Sequence, residues 1–130
     1  MKKNLIAKLS MDFALRIVNM YQYLKEQKKE TVMSKQVLRS GTSIGANIYE
    51  SEQAQSKADF LSKLYIALKE ANETKYWLEL LHECKSLDDN KYNQLLLRCK
   101  ELIRILTSII KHKEQKKNNT QNKTIVNCEL

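Results

Sequence analysis

Arg39-Ser40-Gly41-Thr42-Ser43-Ile44-Gly45-Ala46-Asn47-Ile48-Tyr49-Glu50 holds both glycines of this chain, in a stretch that otherwise reads as helix. A glycine in a helix interior costs roughly 1 kcal/mol relative to alanine. The sequence has no proline and no third glycine, so both glycines stand where they weaken a helix. Gly41 and Gly45 are four residues apart and fall on one side, one turn apart. The physical reading is close approach, with another backbone coming near that face.

On either side of this stretch, apolar spacing marks four helical segments. The second helix starts near Ser34 and ends near Glu50, with Val37, Gly41, Ile44 and Ile48 as its apolar-or-small stripe. The first runs from about Ser10, a capping residue type, to Lys28, with Phe13, Ile17, Met20 and Leu24 recurring at helical spacing. The third begins after Ser56, where Ser56-Lys57-Ala58-Asp59 resembles a capping box, and runs to about Lys85. Its core face is Phe60, Leu64, Ala67, Leu68, Ala71 and Leu78. The fourth starts near Asp88-Asp89, where acidic residues suit the positive helix end, and carries a seam of Leu95, Cys99, Leu102, Leu106 and Ile109. Short links between amphipathic helices predict an all-α, antiparallel up-down four-helix bundle. The expected organisation is an N-terminal arm over 1–9, the bundle over 10–113 and a polar, basic, disordered tail over 114–130.

The composition agrees with one globular domain: 130 residues, 42% hydrophobic and 29% charged. No apolar run is long enough to span a bilayer, and charge interrupts the first eight residues, so a cytoplasmic protein is expected. The three cysteines, Cys84, Cys99 and Cys128, form no CxxC pair; Cys84 and Cys99 fall at core-like positions, and Cys128 lies in the polar tail.

The formal net charge is +8. A surplus of this size suits polyanions, or serves solubility alone. Arg98, Lys100, Arg104, Lys111 and Lys113 run along the fourth helix, and Tyr21 and Tyr23 are interleaved with Arg16, Lys25, Lys28 and Lys29 on the first. Such stripes can meet RNA or DNA backbones in a salt-sensitive, sequence-indifferent way. Arg39, Ser43, Asn47 and Glu50 share the face of the second helix opposite its apolar stripe. Arg39 is the member whose fork suits a phosphate or a carboxylate. Ile66, Trp77, Leu80 and Leu81 point away from the main stripe of the third helix, and Leu97 and Ile105 lie off the seam of the fourth. They are expected at a contact between copies of the chain, the alternative being a wide core that absorbs them.

Enzyme chemistry finds little support. Glu79-Leu80-Leu81-His82 matches one half of a di-iron element, but the only other histidine, His112, has Ile109 three residues before it. No glycine-rich phosphate loop or G-x-S-x-G elbow occurs, and no arginine precedes either histidine at the spacing of HEPN-type nucleases. Glu70, Glu73 and Glu79 share a helix with Lys69 and Lys75 and read as surface pairs. No catalytic residue, metal or cofactor is expected.

The run Ser34–Glu50 resembles the signature of the bacterial four helix bundle protein family, also called the 23S rRNA intervening-sequence protein family. Gln55–Phe60, Ala67–Leu81 and Phe13–Val18 are similar to the same family, so the resemblance spans roughly residues 10–112. It implies an up-down bundle that assembles as a ring-like homopentamer without catalytic activity. The family is similar to the accessory variability protein of diversity-generating retroelements, a basic bundle that binds nucleic acid and partners a reverse transcriptase. Arg39, Ser43, Asn47 and Glu50 carry over as signature residues. The expected function is a non-enzymatic basic scaffold for RNA or DNA, with Arg39, Arg98, Lys100, Arg104, Lys111 and Lys113 as contacts. The alternative is a protein–protein assembly module with no nucleic-acid role.

Overall fold

Ile6, Ser10, Phe13, Ile17, Met20 and Leu24 lie on one face of a single long helix, and all six are buried. This first helix, α1, spans Lys2–Glu26. It therefore starts well before Ser10, and residues expected in an N-terminal arm belong to it. Ser10 is not its cap. It occupies a core-facing position, 2% exposed, and its hydroxyl donates to the Ala7 carbonyl at 3.0 Å. The computed structural model describes residues 2–129, with side chains from 5 to 116.

Three further helices follow: α2 (Met33–Ser51), α3 (Lys57–Glu83) and α4 (Asp89–Glu129). Cross-helix pairs give every neighbouring direction. Ile17 faces Gly41 and Ser10 faces Gly45 between α1 and α2. Arg39 meets Glu70 and Glu73, and Lys63 meets Glu50, between α2 and α3. Tyr65 reaches Glu114, and His82 reaches Asp89, between α3 and α4. Asp12 meets Arg98, and Tyr23 meets Lys91, between α1 and α4. Rising numbers on one helix pair with falling numbers on the next in all four cases. The result is an antiparallel up-down four-helix bundle, with α1 and α4 the least extensively packed neighbours.

Local chemistry explains the ends. The Glu30 carboxylate accepts the N–H groups of Val32, Met33 and Ser34, at 3.2, 3.2 and 2.7 Å, and so caps α2 from outside the expected Ser34 position. Ser34 is instead inside α2 and buried. Ser56 caps α3 by accepting the Asp59 N–H at 3.0 Å, as its box predicts. Asp88 does the same for α4 through Lys91 N–H at 2.8 Å. With both glycines spent inside α2, the left-handed turn positions fall to lysines: Lys29 at φ 55° and Lys85 at φ 64°. After α3, Ser86 N–H donates to Leu81 and Lys85 N–H to His82, the paired closure of a Schellman end.

The core is one cluster with members from all four helices. On α3 it takes Leu61, Leu64, Ala67, Ala71, Leu78 and Leu81, so Phe60 and Leu68 of the expected stripe sit at its edge, half-buried. On α4 it runs Leu95, Cys99, Leu102, Leu106 and then Ile110. Among the described residues its polar content is four serines, Ser10, Ser34, Ser40 and Ser51, and Thr74; Ser40 and Thr74 have their hydroxyl oxygens 2.9 Å apart across α2 and α3. The helical backbone of α4 continues past Lys113 to Glu129, beyond the expected boundary of the tail. Neither glycine nor proline interrupts that stretch.

Candidate nucleic-acid interface

Arg39 projects from α2 toward α3, where its two terminal nitrogens pair with Glu70, at 3.1 Å, and with Glu73. Glu73 also accepts the Trp77 indole N–H at 3.2 Å. Glu70 and Glu73 thus serve α2, not the neighbouring lysines of their own helix. The guanidinium fork is filled by carboxylates from within the bundle, which leaves Arg39 poorly placed for phosphate. The rest of the signature face is equally inward in its bonding. Ser43 donates to Arg39 O at 2.6 Å, Asn47 to Ser43 O at 2.8 Å, and Glu50 stands 3.7 Å from Lys63. These residues link turns of α2 and tie α2 to α3.

The other expected contacts divide in three. Lys100, Arg104 and Lys111 share the outer, exposed face of α4 with Leu97. Arg104 pairs loosely with Glu101 at 3.9 Å. Lys113 turns toward α3, with its ammonium 5.5 Å from the centre of the Phe60 ring. Arg98 stands at the edge of α4 facing α1, 3.8 Å from Asp12, which Arg16 also holds at 3.0 Å.

Arg98 opens onto a feature that no single helix reveals. A groove of about 240 Å³ lies between α1 and α4, walled by Arg16, Asn19 and Tyr23 on one side and Lys91, Gln94 and Arg98 on the other. Its floor is Met20 and Leu95. No lining residue is acidic. The Lys91 ammonium lies 4.7 Å over the Tyr23 ring and 3.4 Å from Asp88. The interleaved Arg16 and Tyr23 on α1 were the sequence signal for this groove; the α4 wall needed the fold.

The residues expected between copies of the chain are also split. Leu81 is fully buried in the bundle core and offers no outer surface. The apparent second apolar side of α3 is partly its own core face, widened toward α4. Leu80 and Trp77 are half-buried, with Trp77 edge-on to Tyr76 at 5.2 Å, and Ile66 is 39% exposed. A larger apolar groove, about 650 Å³, lies between α1 and α2. Ala7, Ala14, Gly45 and Ala46 make it deep, while Met11 and Tyr49, both more than 60% exposed, flank it.

Cys84 is exposed rather than in the core, because α3 ends there. Cys99 is fully buried, and burial pushes its thiol up to about 12. Cys128 lies outside the residues whose side chains are described. His82 stacks on Tyr92 with ring centres 4.1 Å apart, and its Nε2 is 2.7 Å from Asp89. Among the described residues, no three His, Cys, Asp or Glu side chains gather as a metal site. No described helix is long and apolar enough to cross a membrane.

Fold and surface together define a basic, antiparallel four-helix bundle protein. The chain belongs to the 23S rRNA-intervening sequence protein family, which it matches over residues 2–108. It is also similar to a crystal structure of a protein of unknown function from the S23 ribosomal protein family of Bacteroides thetaiotaomicron. That likeness has 57% sequence identity and a TM-score of 0.84, and covers 85% of this chain and 99% of the other. No curated protein matches the chain. The resemblance carried by Ser34–Glu50 is thus a true family membership.

Proposed function

We propose that this chain is a non-enzymatic, cytoplasmic scaffold that assembles with copies of itself, by family resemblance as a pentamer, and binds RNA or DNA through a cationic surface. The carrying observation is the α1/α4 seam, lined by Arg16, Lys91 and Arg98, three cations that share the two carboxylates of Asp12 and Asp88 and leave a positive excess. The outer α4 row of Lys100, Arg104 and Lys111 extends the positive surface away from this seam. Phosphate contacts of this kind release counterions, so affinity falls steeply with salt. Titration of labelled RNA and DNA duplexes at two salt concentrations tests the reading. A steep loss of affinity with salt, and weaker binding by Arg98→Glu/Arg104→Glu, is the expected result. Salt-independent or absent binding would remove it.

The α1/α2 groove favours a second reading, an assembly module whose charge serves solubility. Under that reading Met11→Asp and Tyr49→Asp lower the oligomeric state measured by light scattering, while nucleic acid fails to bind at any salt concentration.

A further inference from the structure

We infer that the α1/α4 seam is a seat for one unpaired base of a single-stranded nucleic acid. This inference rests on the proposed nucleic-acid role and names the form of nucleic acid that the seam takes. Its floor is apolar, formed by Met20 and Leu95, both under a tenth exposed. Its volume of about 240 Å³ lies below the roughly 300–1,000 Å³ of drug-sized sites. That space suits a single planar group rather than a stack. Tyr23 supplies an aromatic face, now covered by the Lys91 ammonium at 4.7 Å. Lysine is a flexible stem, so a base can displace it from the ring while the ammonium keeps its contact with Asp88 at 3.4 Å.

The polar rim fits the same ligand. Asn19 and Gln94 are amides, which offer donors and acceptors to a base edge. The Gln94 amide nitrogen donates to Asn90 at 3.2 Å, leaving its carbonyl oxygen as an acceptor. Arg16 and Arg98 stand on opposite walls and share Asp12, at 3.0 and 3.8 Å, so one carboxylate is divided between two cations. The residual positive charge suits the phosphates on either side of an inserted nucleotide. A base in a duplex is stacked and paired and cannot enter such a slot. An unpaired base can be splayed out onto an aromatic ring.

The test compares a short labelled oligouridylate with an RNA duplex of equal length by fluorescence anisotropy, on the full chain. Tighter binding of the single strand is expected. Tyr23→Leu and, separately, the exposed-site change Gln94→Ala should weaken the single strand about tenfold and about threefold, while leaving duplex affinity unchanged. Tyr23→Phe keeps the ring and should retain the preference. Circular dichroism confirms that each variant is folded. Salt-dependent duplex binding with no single-strand preference overturns the seat and leaves the proposed function standing. A preference that survives in folded Tyr23→Leu and in Gln94→Ala also overturns the seat. Failure to bind either nucleic acid overturns both.

Discussion

Ile17 of α1 fills the space that a Cβ at Gly41 of α2 would need, with both its γ carbons 2.9 Å from that position and its own Cβ at 3.3 Å. Ile17 is β-branched and fully buried, so it has no easy alternative rotamer. Gly45 differs. A Cβ there would meet the Ser10 hydroxyl first, at 3.3 Å, and its next neighbours at 3.5 Å. The two glycines of one motif therefore have unequal roles.

The first expected outcome follows from that inequality. Gly41→Ala gains about 1 kcal/mol of helix propensity but must displace Ile17, and overpacking of this kind costs about 1–3 kcal/mol. A net loss of stability is expected. Gly45→Ala gains the same propensity against milder crowding by Ser10, so it should leave the protein more stable than Gly41→Ala does. Urea midpoints of the two single variants check this, and equal midpoints would contradict the close approach at Gly41.

Arg39→Ala should destabilise the protein without weakening nucleic-acid binding. Its side chain is half exposed, while Glu70 is 15% exposed. Solvent screening holds the loss to about 1 kcal/mol or less. Added salt should shrink that difference. The measurement pairs urea unfolding with RNA anisotropy. An affinity loss equal to that of Arg98→Ala would return Arg39 to the binding surface.

Cysteine reactivity should separate the two described thiols. In a Cys128→Ser background, the native protein should expose one thiol to a colorimetric disulfide reagent near pH 8, and the denatured protein two. Cys84 is exposed, whereas Cys99 is buried with its thiol pushed up to about 12, so it is protonated and shielded at that pH. Rapid native reaction of two thiols would contradict the placement of Cys99.

Asp88 should make a pH-dependent contribution. The Lys91 backbone N–H, then the Lys91 charge and side-chain bond and the Lys28 charge, hold its carboxyl below its ordinary 3.8. A carboxyl with a lowered folded value stabilises the protein above the unfolded value and loses that effect as pH falls through the folded one. Asp88→Ala should therefore melt at a lower temperature than the parent near neutrality. The gap should narrow as pH drops below about 3.8. A gap that stays constant across that range would show that Asp88 is not acting as an ionised cap.

The helix periods were legible because Leu95, Cys99, Leu102 and Leu106 repeat faithfully. The seam then passes from the expected Ile109 to Ile110, since a straight helix turns once every 3.6 residues and drifts from a strict heptad. Ser10 misled because a capping residue type also fits a core position when its hydroxyl can bond back to its own helix. Leu81 follows the wide-core alternative, which one helix alone cannot tell from a second surface.

The glycine motif announced close approach but not its partner. Only the antiparallel pairing shows that α1 supplies Ile17 and Ser10. The same limit hid both halves of the site. Arg39 and Glu70 lie 31 residues apart in the chain. The seam depends on the stagger between α1 and α4, which periodicity within either helix does not contain. Charge in the sequence pointed to the surface; the structure shows which carboxylates each cation meets, Glu70 and Glu73 for Arg39 and a shared Asp12 for Arg16 and Arg98.

Ser40 and Thr74 give the bundle an alignment pin. Thr74 also bonds to Glu70 O at 2.7 Å on its own helix, but the alternative contact of Ser40, to Val37 O, is long at 3.5 Å. Sliding α2 along α3 by one turn would strand the Ser40 hydroxyl against hydrocarbon, at about 1–3 kcal/mol. Leucine and alanine would tolerate several staggers; this pair selects one, and with it the level at which every outward residue of the two helices is displayed.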